Sequence, residues 1–454
     1  MKLTGTTLVS SGLLAASTAM AAPAPSTSSS STSSPVHIPI QKRSVVKRSG
    51  DDLLNWAYDQ KAILQSKYKL APASSSQNQR RAGSTSLTNV QYDSSWVAPL
   101  YGGTPSKQYQ VVLDTGSADL WISSQYYSPS SSSSFQNYTT PFDIQYGSGE
   151  VAGYEATDTF TLAGTTVNNL HFAVANSVSS GLTNAAMEGI MGMGFQRLAS
   201  SGEPPFWVVS GVNTFSFYLE RASLTSPDQT QAGGILTLGG TNSSLYQGDI
   251  SYNSLLEELY WMVRLGAAGT KGSNVNLNSL TRAAIDTGTT LIGGPDSVVQ
   301  SLYIQIPNSR SQGNGYYSFP CSSSIDATLT FNGVQYTIPD SDFIAGTLDS
   351  SGSQCLGAFF GLGSSSQTDL QWIVGDAFLK NVYSIFTTNG NNGNAGVGFA
   401  SLASGLNSGT NSKSVGSSTT SSTSSSPAPR TVAGWSMSAL VAAVAVPVLA
   451  AVFA

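Results

Sequence analysis

Histidine and cysteine are nearly absent from this 454-residue sequence, which holds only His37, His171, Cys321 and Cys355. Two His exclude a His-rich metal site, and two Cys exclude a four-cysteine zinc or an iron–sulfur cluster. The sequence therefore predicts no metal and no cofactor. His171 lies in a strand-like run at 169–175 and reads as structural, which removes mechanisms that need imidazole. Charge is also scarce. Asp, Glu, Lys and Arg make up 10 % of the chain, against about 25 % in an average soluble protein. With a net charge of −5, the chain is not expected to bind nucleic acid. Long amphipathic helical stretches are few. What remains for chemistry is carboxylates and hydroxyls, on a chain whose 40 % apolar residues suffice for a large core.

The charge is unevenly distributed. Residues 22–81 carry nine basic and three acidic residues, whereas 82–410 carry eight and 22. Residues 1–21 read as a secretory signal peptide. Lys2 is its charged start, 8–16 its apolar stretch, and Ala19-Met20-Ala21 its small-residue cleavage site. Secretion places Cys321 and Cys355 in an oxidising compartment, where they are expected to pair. Residues 22–81 read as a basic prosegment ahead of an acidic body. It begins with a Pro/Ser/Thr-rich stretch that cannot bury a core. Dibasic pairs follow at Lys42-Arg43, Lys47-Arg48 and Arg80-Arg81, with Arg81 the expected propeptide cleavage site. Between them, 51–69 has helical spacing at Leu54, Tyr58, Ala62 and Gln65, with Leu53 and Ile63 adding to the face.

From 82 to 403 the pattern changes to short alternating runs, at 110–113, 158–162, 170–175, 235–238 and 327–331, separated by Gly, Asn and Ser turns. These predict a mainly β body. Asn137-Tyr138-Thr139 and Asn242-Ser243-Ser244 are N-glycosylation sequons. Residues 404–431 are again rich in Ser, Thr, Gly and Asn and read as a flexible stalk. Residues 432–454 turn apolar, with no basic tail after them. Small residues, a polar spacer and an apolar end form a GPI-attachment signal; the rival reading is a tail-anchored transmembrane helix.

Two segments carry the chemistry. Val111-Val112-Leu113 runs into Asp114-Thr115-Gly116-Ser117, and Ala283-Ala284-Ile285 runs into Asp286-Thr287-Gly288-Thr289. Each is followed later by two apolar residues and a Gly, Ile190-Met191-Gly192 and Ile373-Val374-Gly375. This internal repeat predicts two related lobes, 82–252 and 253–403, facing each other across a cleft. A lone Asp after a strand is ordinarily a turn residue. Two equivalent Asp brought together at about 3 Å cannot both ionise and must share a proton. One is then acid and the other base at the same pH, so the pair activates a water and protonates a carbonyl without metal, His or nucleophilic Ser. Gly116 and Gly288 allow close backbone approach, and Ser117 and Thr289 supply hydroxyls for the outer carboxylate oxygens.

On these motifs the body resembles the pepsin-like aspartic proteases over roughly 90–400. The first motif matches through Asp119-Leu120-Trp121. Tyr146-Gly147-Ser148-Gly149 resembles the flap, a hairpin that closes over substrate, and the resemblance implies a Tyr146–Trp121 hydrogen bond. Gly233-Gly234-Ile235-Leu236-Thr237-Leu238-Gly239-Gly240 and Trp372-Ile373-Val374-Gly375-Asp376-Ala377-Phe378-Leu379 are similar to family strands, and Cys321 and Cys355 match the family's disulfide in the second lobe. The family's first-lobe disulfide loop is missing; 123–134 is Ser-rich instead. Lys67-Tyr68 resembles the prosegment pair whose Lys blocks the dyad in zymogens, with Lys61 and Lys69 as alternatives. The tail and stalk are similar to those of fungal yapsin-type surface proteases. The resemblance implies a mainly β, bilobal, pepsin-like fold and a surface-anchored endopeptidase. It would act on polypeptide substrates as a monomer, inhibited by its own prosegment and held at the membrane by a GPI anchor. A catalytically inactive pepsin-like binding or cell-wall protein is the alternative, against which both Asp-Thr-Gly motifs stand intact. A mucin-like glycoprotein fits less well, because the Ser/Thr segments flank the body rather than fill it. Asp119, Glu150, Glu188, Glu203 and Asp296 are candidate subsite acids for a basic substrate, or else surface charges.

Overall fold

The computed structural model describes residues 43–44, 48–68, 83–91, 93–146, 149–179, 182–223, 228–363, 369–390, 393–406 and 413–414. The expected signal peptide, Arg81, the flap tip Gly147-Ser148, almost all of the stalk and the whole apolar tail lie outside the described residues.

The apolar runs ahead of the two Asp become central strands. In Lys107–Asp114 the first two residues are exposed and the last four buried, as expected of a strand that enters the core and is covered on both faces. It pairs in parallel with Gly189–Gly192, Val111 opposite Gly189 and Asp114 opposite Gly192. Leu120–Ser123 runs antiparallel to that same strand. The second half repeats the arrangement. Arg282–Ile285 pairs in parallel with Trp372–Val374, and Ile292–Gly294 antiparallel to it. The apolar-apolar-Gly segments are thus the partners of the Asp strands in both lobes.

A long antiparallel hairpin, Gln136–Tyr146 with Gly149–Leu162, extends from the first lobe. In Thr165–Val178, Leu170, Phe172 and Val174 face the main core, while Ala173 and Ala175 face a second cluster around the buried Trp121. The strands Tyr383–Thr387 and Gly396–Leu402, late in the chain, return to pair with Thr214–Leu219 and Tyr246–Ser254. A cut at 252/253 falls inside that last strand, so the passage between halves is continuous sheet. Beneath the junction, Phe195, Trp207, Phe215, Trp261 and Phe386 pack ring against ring. Trp207 and Trp261 donate their indole N–H to Gly194 O and Met193 O, at 2.8 and 2.9 Å, fixing the loop behind the first motif.

Cys321 and Cys355 are bonded, stapling the adjacent strands Tyr316–Pro320 and Gln354–Gly357. In the first lobe, Asp158 holds the Ser-rich loop. It is fully buried and accepts from the hydroxyls of Tyr127, Ser132 and Ser134 at 2.5, 3.0 and 2.6 Å.

The helix expected over 51–69 spans Gly50–Lys67, but a different face is buried. Leu53, Ala57, Lys61 and Leu64, continued by Tyr68, point inward, whereas Leu54, Tyr58 and Ala62 are half-buried and Gln65 is exposed. The stripe is rotated by one residue, about 100°. Its centre is a lysine, which an apolar-periodicity reading places outside.

Candidate active site

The Asp-Thr-Gly turns meet tip to tip. Thr115 N donates to Thr287 Oγ1 at 3.1 Å and Thr287 N to Thr115 Oγ1 at 3.0 Å. Each hydroxyl in turn donates to the opposite strand, Thr115 to Ile285 O at 2.8 Å and Thr287 to Leu113 O at 2.5 Å. All of these groups are buried, so each strand end is fixed by the other half. The Gly residues are required by the same closeness. A Cβ on Gly288 would lie 2.3 Å from Asp114 Oδ1, and one on Gly116 2.7 Å from Asp286 Oδ2.

Asp114 and Asp286 are both buried. Asp114 Oδ1 accepts from Gly116 N at 2.9 Å, and its Oδ2 from Ser117 Oγ at 2.5 Å. Asp286 Oδ1 accepts from Gly288 N at 2.8 Å and its Oδ2 from Thr289 Oγ1 at 2.5 Å. The two hydroxyls are not equivalent. Lys67 binds Asp114 through Oδ1, away from Ser117, but it binds Asp286 through Oδ2, the oxygen that Thr289 also holds.

Lys67 Nζ lies 2.7 Å from Asp114 Oδ1 and 2.9 Å from Asp286 Oδ2. Tyr68 OH donates to Asp286 Oδ2 at 2.7 Å, and its ring packs on Tyr260 with centroids 4.5 Å apart. The helix brings both side chains to the pair; of the three lysines considered, Lys67 makes the contact. Lys61 lies elsewhere on the helix, and Lys69 is outside the described residues.

Burial and position set the charges. Burial raises the Asp114 carboxyl, Lys67 opposes this, and the Asp286 charge adds to it, leaving Asp114 above its ordinary value. Burial acts the same way on Asp286. There the Lys67 charge and hydrogen bonds from Asp114 and Thr289 outweigh it and hold the carboxyl at about 2. Asp114 is therefore the proton holder and Asp286 the ionised partner. Lys67 is lowered by burial but raised further by the two carboxylates, so its charge is secure.

A third carboxyl, Asp376, follows Gly375 in the second repeat, inside the segment that resembles a family strand, and was not read there as a site residue. It is 2 % exposed, and its Oδ1 has no hydrogen-bond partner among the described residues. Burial, then the Asp286 charge, push it well above the ordinary range. Its position after an apolar strand and Gly, matching Met193 in the first half, is the only signal the sequence offers.

Tyr146 and Gly149 are the last paired residues of the hairpin. The Tyr146–Trp121 hydrogen bond that the resemblance implies falls outside what is described, as do Gly147 and Ser148. Asn137 is exposed and Asn242 half-buried; each folds its amide oxygen onto its own sequon, accepting from Thr139 N and Ser244 N. His171 stacks on Tyr138 at 5.0 Å. Among the five acids, Asp119 is buried and accepts from Ser200 N and Ser201 N at 2.7 and 3.1 Å. Glu188 accepts from Gln110 N at 2.8 Å. Both are structural in this setting.

Residues 95–402 match the family model for eukaryotic aspartyl proteases. Major aspartyl peptidase 1 of Cryptococcus neoformans is 37 % identical over 360 residues, which is 72 % of this chain and 73 % of the relative. An aspartic protease of Phaffia rhodozyma is 35 % identical over 409 residues, 85 % of this chain and 96 % of the relative. Pepsin A of Suncus murinus is 30 % identical over 322 residues, 66 % of this chain and 79 % of the relative. Related at these levels over its whole β body, the chain belongs to the eukaryotic aspartyl proteases, has the pepsin-like fold, and is an aspartic-type endopeptidase.

Proposed function

We propose that this endopeptidase is secreted as a zymogen and tethered at the cell surface, with Asp114 and Asp286 as its catalytic pair. The observation that carries the reading is Lys67, whose ammonium bridges both carboxylates at 2.7 and 2.9 Å. It occupies the position where a peptide carbonyl and its attacking water must sit.

With Lys67 withdrawn, the pair performs general acid–base catalysis. Asp286, whose ionised form the hydrogen bonds from Asp114 and Thr289 favour without Lys67, takes a proton from water as the water oxygen attacks the peptide carbonyl carbon. Asp114 gives its proton to the carbonyl oxygen. Collapse of the resulting diol returns a proton to the departing nitrogen and splits the bond. Thr115, Gly116, Ser117, Thr287, Gly288 and Thr289 hold the pair. Tyr146, Gly147 and Ser148 belong to the flap that closes over an extended polypeptide, with Trp121 as the partner of Tyr146.

The prosegment is 22–81, removed by a cut after Arg81. Gly83–Val90 supports this limit, because it is a largely buried strand paired with Asp228–Leu238. A cut at 81 spares it. Residues 1–21 direct secretion, 404–431 form the stalk, and 432–454 direct GPI attachment; the sequons at Asn137 and Asn242 take glycans. The protein acts as a monomer.

The test is digestion of a denatured protein substrate in acid by the full-length product. Cleavage is expected to be blocked by pepstatin and lowered at least about a thousandfold by Asp114→Asn. Full activity in that variant overturns the catalytic pair. The mature N-terminus is expected at Ala82, and release from cells by a phosphatidylinositol-specific phospholipase decides the anchor.

A further inference from the structure

The helix Gly50–Lys67 does more than deliver Lys67. Three donors on one of its faces, at spacings of three and four residues, each bind a main-chain carbonyl of the second lobe. Tyr58 OH donates to Gln312 O at 2.5 Å, Lys61 Nζ to Asn314 O at 3.1 Å, and Gln65 Nε2 to Leu362 O at 2.6 Å. The carbonyls belong to one wall: Gly361 N donates to Gly315 O at 2.9 Å, joining the 312–316 turn to the 361–363 segment. Asp296 is part of the same wall. Its Oδ1 accepts from Gly363 N at 2.9 Å and would sit 2.2 Å from a Cβ on Gly361.

Lys61 is the informative occupant. It is 6 % exposed, and lysine is almost never buried without compensation. Burial disfavours its charge, and the Asp296 carboxylate opposes that effect. Once the helix leaves, the wall offers three carbonyls that have lost their helix donors, beside a carboxylate.

We infer that this wall, centred on Asp296 and Asn314 O, is a subsite of the mature enzyme for a lysine or arginine side chain of the polypeptide substrate. The inference rests on the prosegment reading, in which the helix departs. Lys61 precedes Lys67 by six residues, about 9 Å of helix rise. An extended peptide covers that distance in roughly three residues. The subsite therefore reads a basic residue remote from the cut bond, and it leaves the choice of side chains beside the cut to the residues around the pair.

The experiment uses the acid-activated full chain and peptides with a fixed apolar cleavage centre. Lysine or norleucine is placed two, three or four residues away on either side, and kcat/KM is measured at about pH 5, above the ordinary carboxylate range. Norleucine keeps the alkyl stem and removes the charge. At one of these positions lysine is expected to be favoured about tenfold, the scale of one charge-assisted hydrogen bond. Asp296→Asn, which keeps an acceptor for Gly363 N, is expected to shrink that ratio to near one. Equal cleavage of lysine and norleucine peptides by the unaltered enzyme at every position overturns the subsite, as does a ratio undiminished in Asp296→Asn. If the chain cuts lysine and norleucine peptides as fast before acid activation as after it, the prosegment reading fails and takes the subsite with it.

Discussion

Thr115 and Thr287 each accept a backbone N–H from the other, at 3.1 and 3.0 Å, across the junction of the two lobes. Each hydroxyl has one proton, and each spends it on a carbonyl of the opposite strand. Neither half can position its Asp alone. Thr115→Val keeps the shape but leaves Thr287 N and Ile285 O buried without that partner. It is expected to cost about 2–4 kcal/mol and to lower kcat more than it raises KM. Urea denaturation and steady-state kinetics check this. Thr287→Val is expected to behave alike, and the double variant to lose less than the two singles combined.

Thr289 offers a test of the acid and base roles. Its hydroxyl stabilises ionised Asp286, so removing it favours the protonated form and raises that carboxyl. The acid limb of kcat/KM follows the group that must be ionised. In Thr289→Ala the limb is expected to move to higher pH by roughly half to one unit, while Thr289→Ser leaves it in place. A limb that stays put or moves down in Thr289→Ala argues that Asp286 is not the base.

The pair itself was legible in the sequence because Asp114 and Asp286 each follow an apolar strand and precede the same turn, so one repeat declares both. The Lys67-Tyr68 dipeptide was legible only by resemblance, with two other lysines equally placed. The helix face was misread because Lys61 breaks the apolar stripe and its acceptor, Asn314 O, belongs to another lobe. Long-range charge pairs were hidden for the same reason. Arg221 binds Asp342 121 positions away, and Lys380 reaches Asp93 across 287. Local pattern records what a segment buries, not which distant atom satisfies it.

Lys67 makes the onset of activity depend on acid. Asp114 has a raised carboxyl and takes its proton first as pH falls, which ends its attraction for Lys67. Asp286 is depressed to about 2, so its share of the lock is present above the ordinary carboxylate value and lost as pH falls from about 4 towards 2. Lys67, raised, stays charged throughout this window. A full chain with Arg81→Ala is therefore expected to gain pepstatin-sensitive activity only on acidification. Adding Lys67→Met is expected to move that onset up by roughly a pH unit or more. Equal onsets in the two chains, measured by a fluorogenic peptide across a pH series, remove Lys67 as the lock.

Asp158 stands where the sequence offered no cross-link for the 123–134 loop. Its Oδ1 accepts from Ser132, Ser134 and Thr159 N, and its Oδ2 from Tyr127 OH. A hydroxyl in a Ser-rich loop donates weakly on its own, but several donors converging on one carboxylate hold the loop together. Asp158→Ala strands the buried Tyr127 hydroxyl and frees the loop, and is expected to cost about 3 kcal/mol. Asp158→Asn keeps one acceptor oxygen and is expected to cost less than alanine. If the carboxylate anchors the loop, limited proteolysis within 123–134 accelerates in the alanine variant while the disulfide-stapled strands near Cys321 stay protected. Unchanged proteolysis with a similar loss of stability in both variants instead assigns Asp158 to packing of the strand Gly149–Leu162, and the Ser-rich loop then holds its place without it.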